Sequence, residues 1–469
     1  MGMRRRRRES QESLFVMSDR LPRSEGHVFY TRLNELLSES GFDRFVEDEC
    51  QPYYAAGKGR LSIPPGVYFR MLLVGYFEGI GSQRGIAWRC ADSLSLRQFL
   101  GLQITESSPD HSSLTRIRDR LPVEVHESVF RFVLKLTQEK GLLRGRTVAI
   151  DSTTLEANAA MKSIVRRDTG EDWKSFVTGL MRAEGVIAED EEPSDEEARR
   201  FDKKRKNKKV SNKDWVSKSD PDARIARMKD GRTHLCYKAE HVVDLESDVI
   251  VAAEIYDGDY SDTQTMADSL VEASMNLQEA GGEAIEEAVA DKGYHAAEQL
   301  ELVQSLGIRT YVPSPKRPHN NVWTNKSPEL KSAVYSNRRR LKTAKNKRMQ
   351  RKRSEIVERT FAHVYETGGA RRSWLRGKEK VKKRTLISAL TKNLSVLMRS
   401  LFGIGTPRGL QADFNGQRDL SALLYFACLH IQATVSRCWN LWAANLSTQI
   451  LLPRIRTGSL TTKLTQQTH

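Results

Sequence analysis

Asp151 and Asp291 each close a short apolar, β-branched run, 146–152 and 287–291, and each is an acid at the expected end of a strand. In sheets that contain parallel strands, ligands and chemistry collect beyond the strand ends. Two carboxylates meeting there would repel, and one would be driven to a higher pKa. A hard divalent cation relieves that conflict. Mg²⁺ needs only a few protein carboxylates, because water and phosphate complete its octahedron, and a pair of such ions can stabilise both the attacking and the leaving oxygen of a phosphoryl displacement. A third oxygen ligand should come from a nearby helix. Glu358 borders the face formed by Val357, Phe361 and Val364, and Glu355, nearly one turn earlier, is the alternative. Spacing alone is a weak signal in a chain with 60 acids, and strand-end or capping roles for the two aspartates stay open.

The elements that must position these acids are read from texture and charge. The chain has 469 residues, 39% of them hydrophobic and 29% charged, enough for two or three domains. No run approaches the ~20 apolar residues that a membrane helix needs. Five arginines near the start, Arg4 to Arg8, are followed by no apolar core, so a secretory signal is not expected. Cys50, Cys90, Cys236, Cys428 and Cys438 are scattered, without the spacing of a zinc site or a disulfide framework, which fits a reducing cytoplasm. The net charge is +16, and residues 338–384 hold 19 Lys/Arg against four acids. Such a concentration suggests a polyanionic partner. Arg338, Arg339, Arg340, Arg351, Arg353, Arg359, Arg371, Arg372, Arg376 and Lys378 are the candidates for phosphate contacts.

Residues 1–25 read as a basic flexible arm, and 26–140 as an all-helical domain for DNA binding or dimerisation. Within it, helices are expected after Pro64-Pro65, over 84–90 and 94–100, after the Asp110-His-Ser-Ser113 punctuation, and over 126–140. Residues 141–403 read as an α/β domain. Strands are expected at 146–152, in a hairpin of 235–243 with 249–255, at 287–291 and at 308–312. Helices are expected at 263–280, 295–306, 354–366 and 380–401, with a basic loop between the last strand and the glutamate helix. This order gives a mixed sheet flanked by helices. Residues 160–230 are acidic and then basic, and read as a solvated insertion, partly helical or disordered. Residues 404–469 read as a helical or poorly ordered tail. Asp262 is the expected N-cap of the 263–280 helix, with an auxiliary metal role as the lesser reading. Lys203 to Lys209 reads as a solvated charged face rather than a DNA contact, Trp323 as a packing residue, and His241, His295 and His363 as ordinary histidines rather than supports of the site.

Several motifs together resemble the DDE transposases of bacterial insertion sequences. Val148-Ala-Ile-Asp-Ser-Thr-Thr-Leu-Glu-Ala-Asn158 is similar to their first-aspartate strand, Asp291-Lys-Gly-Tyr294 to their second-aspartate motif, and Val357-Glu-Arg-Thr-Phe361, running on to Gly368-Gly-Ala-Arg-Arg372 and Leu375-Arg-Gly377, to their glutamate helix. Asn393-Leu394 resembles their closing helix, and Arg84-Gly-Ile-Ala87 and Pro109-Asp-His-Ser-Ser113 their helical N-terminal domain.

The resemblance implies an RNase H-like catalytic core in which Asp151, Asp291 and Glu358 bind two Mg²⁺ or Mn²⁺ ions. It implies cleavage at the ends of an element and strand transfer into target DNA. The implied partners are double-stranded DNA, both terminal inverted repeats and target, and a second copy of the chain on that DNA, in a bacterial, nucleoid-associated setting. Related families often carry Arg and Lys at fixed offsets from the glutamate. Here those offsets fall on Ser354 and Tyr365, so phosphate binding passes to Arg351, Arg353 or Arg359. The competing readings are a catalytically inactive DNA-binding remnant or regulator, and a nuclease without strand transfer.

Overall fold

The computed structural model describes residues 26–55, 62–205, 211–228, 231–315, 326–371 and 373–409. The expected basic arm (1–25), Trp323, Arg372, nearly all of the tail after 404, and Cys428 and Cys438 lie outside them.

Seven helices come first: α1 (Val28–Glu39), α2 (Phe42–Cys50), α3 (Pro65–Phe77), α4 (Gln83–Asp92), α5 (Leu94–Phe99), α6 (His111–Arg120) and α7 (Val123–Glu139). Their starts are written locally. Pro65 stands at the first turn of α3, and Ser82, Ser93 and Asp110 each accept a backbone N–H as N-caps of α4, α5 and α6. Phe29, Leu33, Phe42, Phe69, Phe77 and Phe130 are fully buried between these helices, each contributing roughly 1.5–3 kcal/mol by leaving water.

The sheet region follows: β1 (Thr147–Glu156), β2 (Ile164–Arg166), α8 (Trp173–Ala183), α9 (Asp195–Lys204), β3 (Trp215–Ser217), β4 (Arg224–Arg227), β5 (Thr233–Asp244), β6 (Ile250–Asp257), α10 (Asp262–Glu279), β7 (Glu287–Val289), α11 (Ala297–Ser305), β8 (Arg309–Tyr311), α12 (Pro328–Leu341), α13 (Ala344–Ala362) and α14 (Lys378–Phe402). Strand β5 is central on one side, antiparallel to β1 along one edge and to both β4 and β6 along the other. Beyond β1, β7 and β8 run parallel to it. The result is mixed α/β, with a helical N-terminal region and a mixed six-stranded sheet, consistent with an RNase H-like DDE domain.

Three expectations change. The basic stretch after β8 is helical: residues 338–353 occupy the end of α12 and the first half of α13. Lys and Arg are good helix formers, and buried Leu330, Val334, Met349 and Ile356 give both helices an inner face. The 160–230 region holds two helices, a two-stranded sheet of β2 and β3, and β4. A small core of Val177, Met181 and Ala198 lies under its charged surface, and Trp215, Ile164 and Ile225 join the core of the main sheet. Asp262 is the first residue of α10 rather than its cap; Ser261 forms the capping box with Gln264.

Residues up to Pro407 form one compact unit. Helix α14 is its axis, packed against α3 and α7 on one side and β6 on the other. Buried Asn393 accepts from the Ile250 N–H at 2.8 Å and donates to the Ile250 carbonyl at 2.8 Å. Buried Asn337 of α12 makes the same pair of bonds with Val312. Asp248, in the β5–β6 turn at φ 67, is held by Lys392, Arg359 and Thr360.

His126 of α7 is buried between the Tyr68 hydroxyl and the Pro122 carbonyl, and burial pushes its imidazole down to about 3. The folded chain thus keeps it neutral where the unfolded chain protonates it. Stability falls as pH drops below the ordinary imidazole value, by about 1.4 kcal/mol per pH unit for this group. In urea titrations at pH 7, 6 and 5, His126→Gln should lose stability less steeply than the wild type; equal slopes would exclude this linkage.

Candidate active site

The β1–β7 ladder fixes the site. Its parallel register pairs Thr147 with Glu287, Val148 with Ala288 and Ala149 with Val289. Two residues beyond the last pair on each segment stand Asp151 and Asp291. Strand β1 itself continues to Glu156 along β5, so Asp151 is at the end of the parallel ladder and in the middle of the antiparallel one, opposite His241. The expectation that β1 ends at this acid is corrected: residues 152–156 stay extended because β5 provides a partner through Cys236.

Each aspartate has one oxygen fixed by the backbone beside it. Asp151 Oδ1 accepts the Ser152 N–H at 2.8 Å, and Asp291 Oδ1 accepts the Gly293 N–H at 2.7 Å in a 3₁₀ turn, Lys292–Tyr294. The other Asp151 oxygen is taken by Arg353 of α13, with Nη1 to Oδ2 at 3.0 Å. Desolvation is the main force raising the Asp151 carboxyl above its ordinary range, and Asp291 and Asp262 push it further. The Ser152 N–H and Arg353 oppose the rise. This is the like-charge conflict expected of two acids brought together.

Asp262, at the start of α10, joins them. Its Oδ1 accepts from Ser152 Oγ at 2.7 Å and lies 2.9 Å from Lys238 Nζ. A Cβ at Gly293 would lie 2.7 Å from Asp262 Oδ2 and 2.9 Å from Asp291 Oδ1, so both carboxylates flank that glycine. Behind them is a buried polar network. Glu240, 1% exposed, accepts from Thr265 at 2.7 Å, Ser269 at 2.5 Å and the Tyr294 hydroxyl at 2.8 Å, and pairs with Lys238 at 3.3 Å. It ties β5 and α10 to the turn that carries Asp291. Burial, with Glu240 next, holds the Tyr294 phenol well above its usual range, so it remains a donor. One signal for this network was present in the sequence: Lys238 and Glu240 lie two apart in a strand, on the same face, in an otherwise apolar run.

Helix α13 is seated by buried Val357 and by Phe361, whose ring stacks on His241 with centroids 4.4 Å apart. Its Gln350 donates to the Ala290 and Tyr311 carbonyls. Glu358 is exposed on this helix. Among the described residues no three of His, Cys, Asp and Glu converge closely enough to hold a metal ion. Glu355 is also exposed and pairs with Arg359. The all-oxygen pair Asp151 and Asp291 nevertheless suits a hard cation that keeps most of its waters.

The candidate phosphate contacts divide. Arg339, Arg351 and Arg376 are exposed, while Arg338 lies over the Tyr335 ring. Arg340 donates to the Thr310 carbonyl and hydroxyl, fastening α12 to β8. Arg353 holds Asp151, Arg359 pairs with Asp248, Arg371 with Glu366, and Lys378 with Asp257 at 2.9 Å. His295 reaches Ser314 at 3.0 Å, and His363 is half-buried beside the Asp248 turn. Lys203 and Lys204 end α9, and 206–209 lie outside the described residues.

Gly293→Ala should drive the Asp262 and Asp291 carboxylates apart with little effect on folding. Weaker Mn²⁺ binding by a chain with an unchanged melting temperature is the expected result. A variant that binds Mn²⁺ as the wild type does would show that the approach at Gly293 is irrelevant to the site.

Two family models match the chain: a transposase domain (DUF772) over residues 16–120, and a transposase DDE domain over residues 315–398. Neither a curated protein nor a solved structure matches it. The first stretch spans α1 to α6, and the second runs from α12 into α14 and includes Glu358. Asp151 and Asp291 lie between them, on the sheet. Over these two stretches, which together span less than half of its length, the chain is similar to transposase domains, the second of them of the DDE type.

Proposed function

We propose that this protein binds the ends of a DNA element, cleaves them and joins them to target DNA, with Asp151, Asp291 and Glu358 as the acids of a Mg²⁺- or Mn²⁺-dependent site. The observation that carries the reading is that Asp151 and Asp291 each stand two residues past the last β1–β7 pair, and that the charge of Asp291 helps to raise the Asp151 pKa. When bound there, a divalent ion would lower the pKa of an attacking water and stabilise the leaving oxygen.

The chain's own residues prepare for this. The N–H groups of Ser152 and Gly293 fix one oxygen of each aspartate, and Arg353 holds the second oxygen of Asp151. Lys238 and Ser152 hold Asp262 and keep its charge balanced. The exposed cations of α12 and α13, among them Arg339 and Arg351, are suited to the DNA backbone, and the DDE-domain match over 315–398 supports a DNA partner. Glu358 would complete the site from α13 and allow two ions, as the family resemblance implies. A second reading, a DNA-binding derivative without catalysis, is favoured by one observation: no three metal-ligating side chains converge among the described residues. No helix among the described residues is long and apolar enough to cross a membrane.

Asp151→Asn, Asp291→Asn and Glu358→Gln should each lower cleavage of element-end DNA at least about a thousandfold, while each variant still binds DNA in a gel-shift assay. Full-rate cleavage by any one of them removes that residue from the site, and an inactive wild type that still binds DNA supports the second reading. Replacing Arg339 and Arg351 together with Gln should lower the slope of log affinity against log salt by about 2, since each phosphate contact contributes about 0.9. An unchanged slope excludes both from the DNA contact.

A further inference from the structure

Arg353 occupies the position that a cation would take. Its guanidinium lies 3.0 Å from Asp151 Oδ2, the oxygen left over once the Ser152 N–H has taken Oδ1. The side chain is only 12% exposed, yet it is poorly satisfied. Nη2 reaches Ser354 Oγ at 3.4 Å, and Nε is buried with no partner. A buried donor left unmet is unfavourable, so the guanidinium is held at this site chiefly by charge.

Helix geometry adds a second constraint. Arg353 and Glu358 are five residues apart on α13, which separates them by about 140° around the helix axis. The docking that turns Arg353 onto Asp151 therefore turns Glu358 outward, and Glu358 is exposed. Immediately after α13 the chain forms one π-helical turn, His363–Thr367. Such a turn is a local fault in the hydrogen-bond ladder and a place where a change in helix rotation can be absorbed.

We propose that Arg353 is the internal counter-ion of the aspartate pair: it competes with the divalent cation for Asp151 and passes to a DNA phosphate when the site is loaded. The inference rests on the reading of Asp151 and Asp291 as a cation site. It gives Arg353 a role in coupling metal binding to DNA binding. Without DNA, the guanidinium neutralises Asp151 and holds metal affinity down. With DNA, a phosphate offers the guanidinium a fork of oxygens, Asp151 is released to the cation, and α13 is free to bring Glu358 round.

The test is Mn²⁺ binding to the full chain without DNA, followed by the electron paramagnetic resonance signal of free Mn²⁺, so no activity is needed. Arg353→Gln should bind Mn²⁺ about tenfold more tightly than the wild type, the effect of removing one competing charged contact. Arg353→Lys keeps the charge and should bind as the wild type does. A short DNA duplex should tighten Mn²⁺ binding by the wild type and add little to Arg353→Gln. Circular dichroism melting of each variant establishes that it is folded. Arg353→Gln binding no more tightly than the wild type, while Asp151→Asn abolishes binding, overturns the counter-ion role and leaves the cation site standing. Mn²⁺ binding unaffected by Asp151→Asn overturns both.

Discussion

Two like charges brought together at the end of a parallel ladder are the constraint around which the rest of the structure is arranged. The paired β1 and β7 carry Asp151 and Asp291 two residues past their last pair, near enough to feel each other's charge, and a half-buried carboxylate cannot be stabilised by water alone. The surrounding residues answer that repulsion in different ways. Backbone N–H groups of Ser152 and Gly293 take one oxygen from each acid, Arg353 supplies a positive charge to Asp151, and Lys238 pairs with Asp262, the third acid. Gly293 permits the approach because no Cβ stands between the Asp262 and Asp291 carboxylates. Glu240 collects the remaining donors into a saturated network, which is the condition under which a buried charge is tolerated.

The same sheet is tied mechanically to the helical region. Helix α14 is buried against α3, α7 and β6, so the N-terminal helices and the acids share one packed body. Lys392 of that helix and Arg359 of α13 meet at Asp248, in the turn of the β5–β6 hairpin. Asp220 and Asp222, from the charged insertion, accept the first N–H groups of α14. A displacement of α13 or α14 would therefore reach both the sheet and the helices that precede it.

The insertion and the basic helices show why charge misleads a reader of sequence. Residues 160–230 are dominated by Lys, Arg, Asp and Glu, yet three buried residues and four partly buried ones, Trp173, Phe176, Ile187 and Phe201, suffice to seat α8 on α9. Arg166 covers the Phe176 and Trp215 rings at 4.8 and 5.8 Å, so a charged residue serves as packing there. Over 338–353, clustered cations resemble a loop, because the buried apolar residues that seat the two helices lie mostly to either side, at Leu330 and Val334 and at Ile356 and Val357. A solvated surface and a small core coexist in the same segment, and the count of charges reports only the surface.

Local chemistry was legible from the chain alone: the alternation of strands and helices, the β5–β6 hairpin, the two aspartates at the ends of apolar runs, and the motif resemblance that joined them to Glu358. These depend on residues near one another in sequence, where propensity and periodicity act directly. The β1–β7 pairing that brings the segments of Asp151 and Asp291 together across 140 positions, the Lys238–Glu240–Asp262 network behind them, and the choice of Arg353 over Glu358 as the residue facing Asp151 were decided by tertiary structure. The physical reason is that an α-helix offers one face to a sheet at a time, and which face it offers is set by distant contacts, here Gln350 on Ala290 and Phe361 on His241.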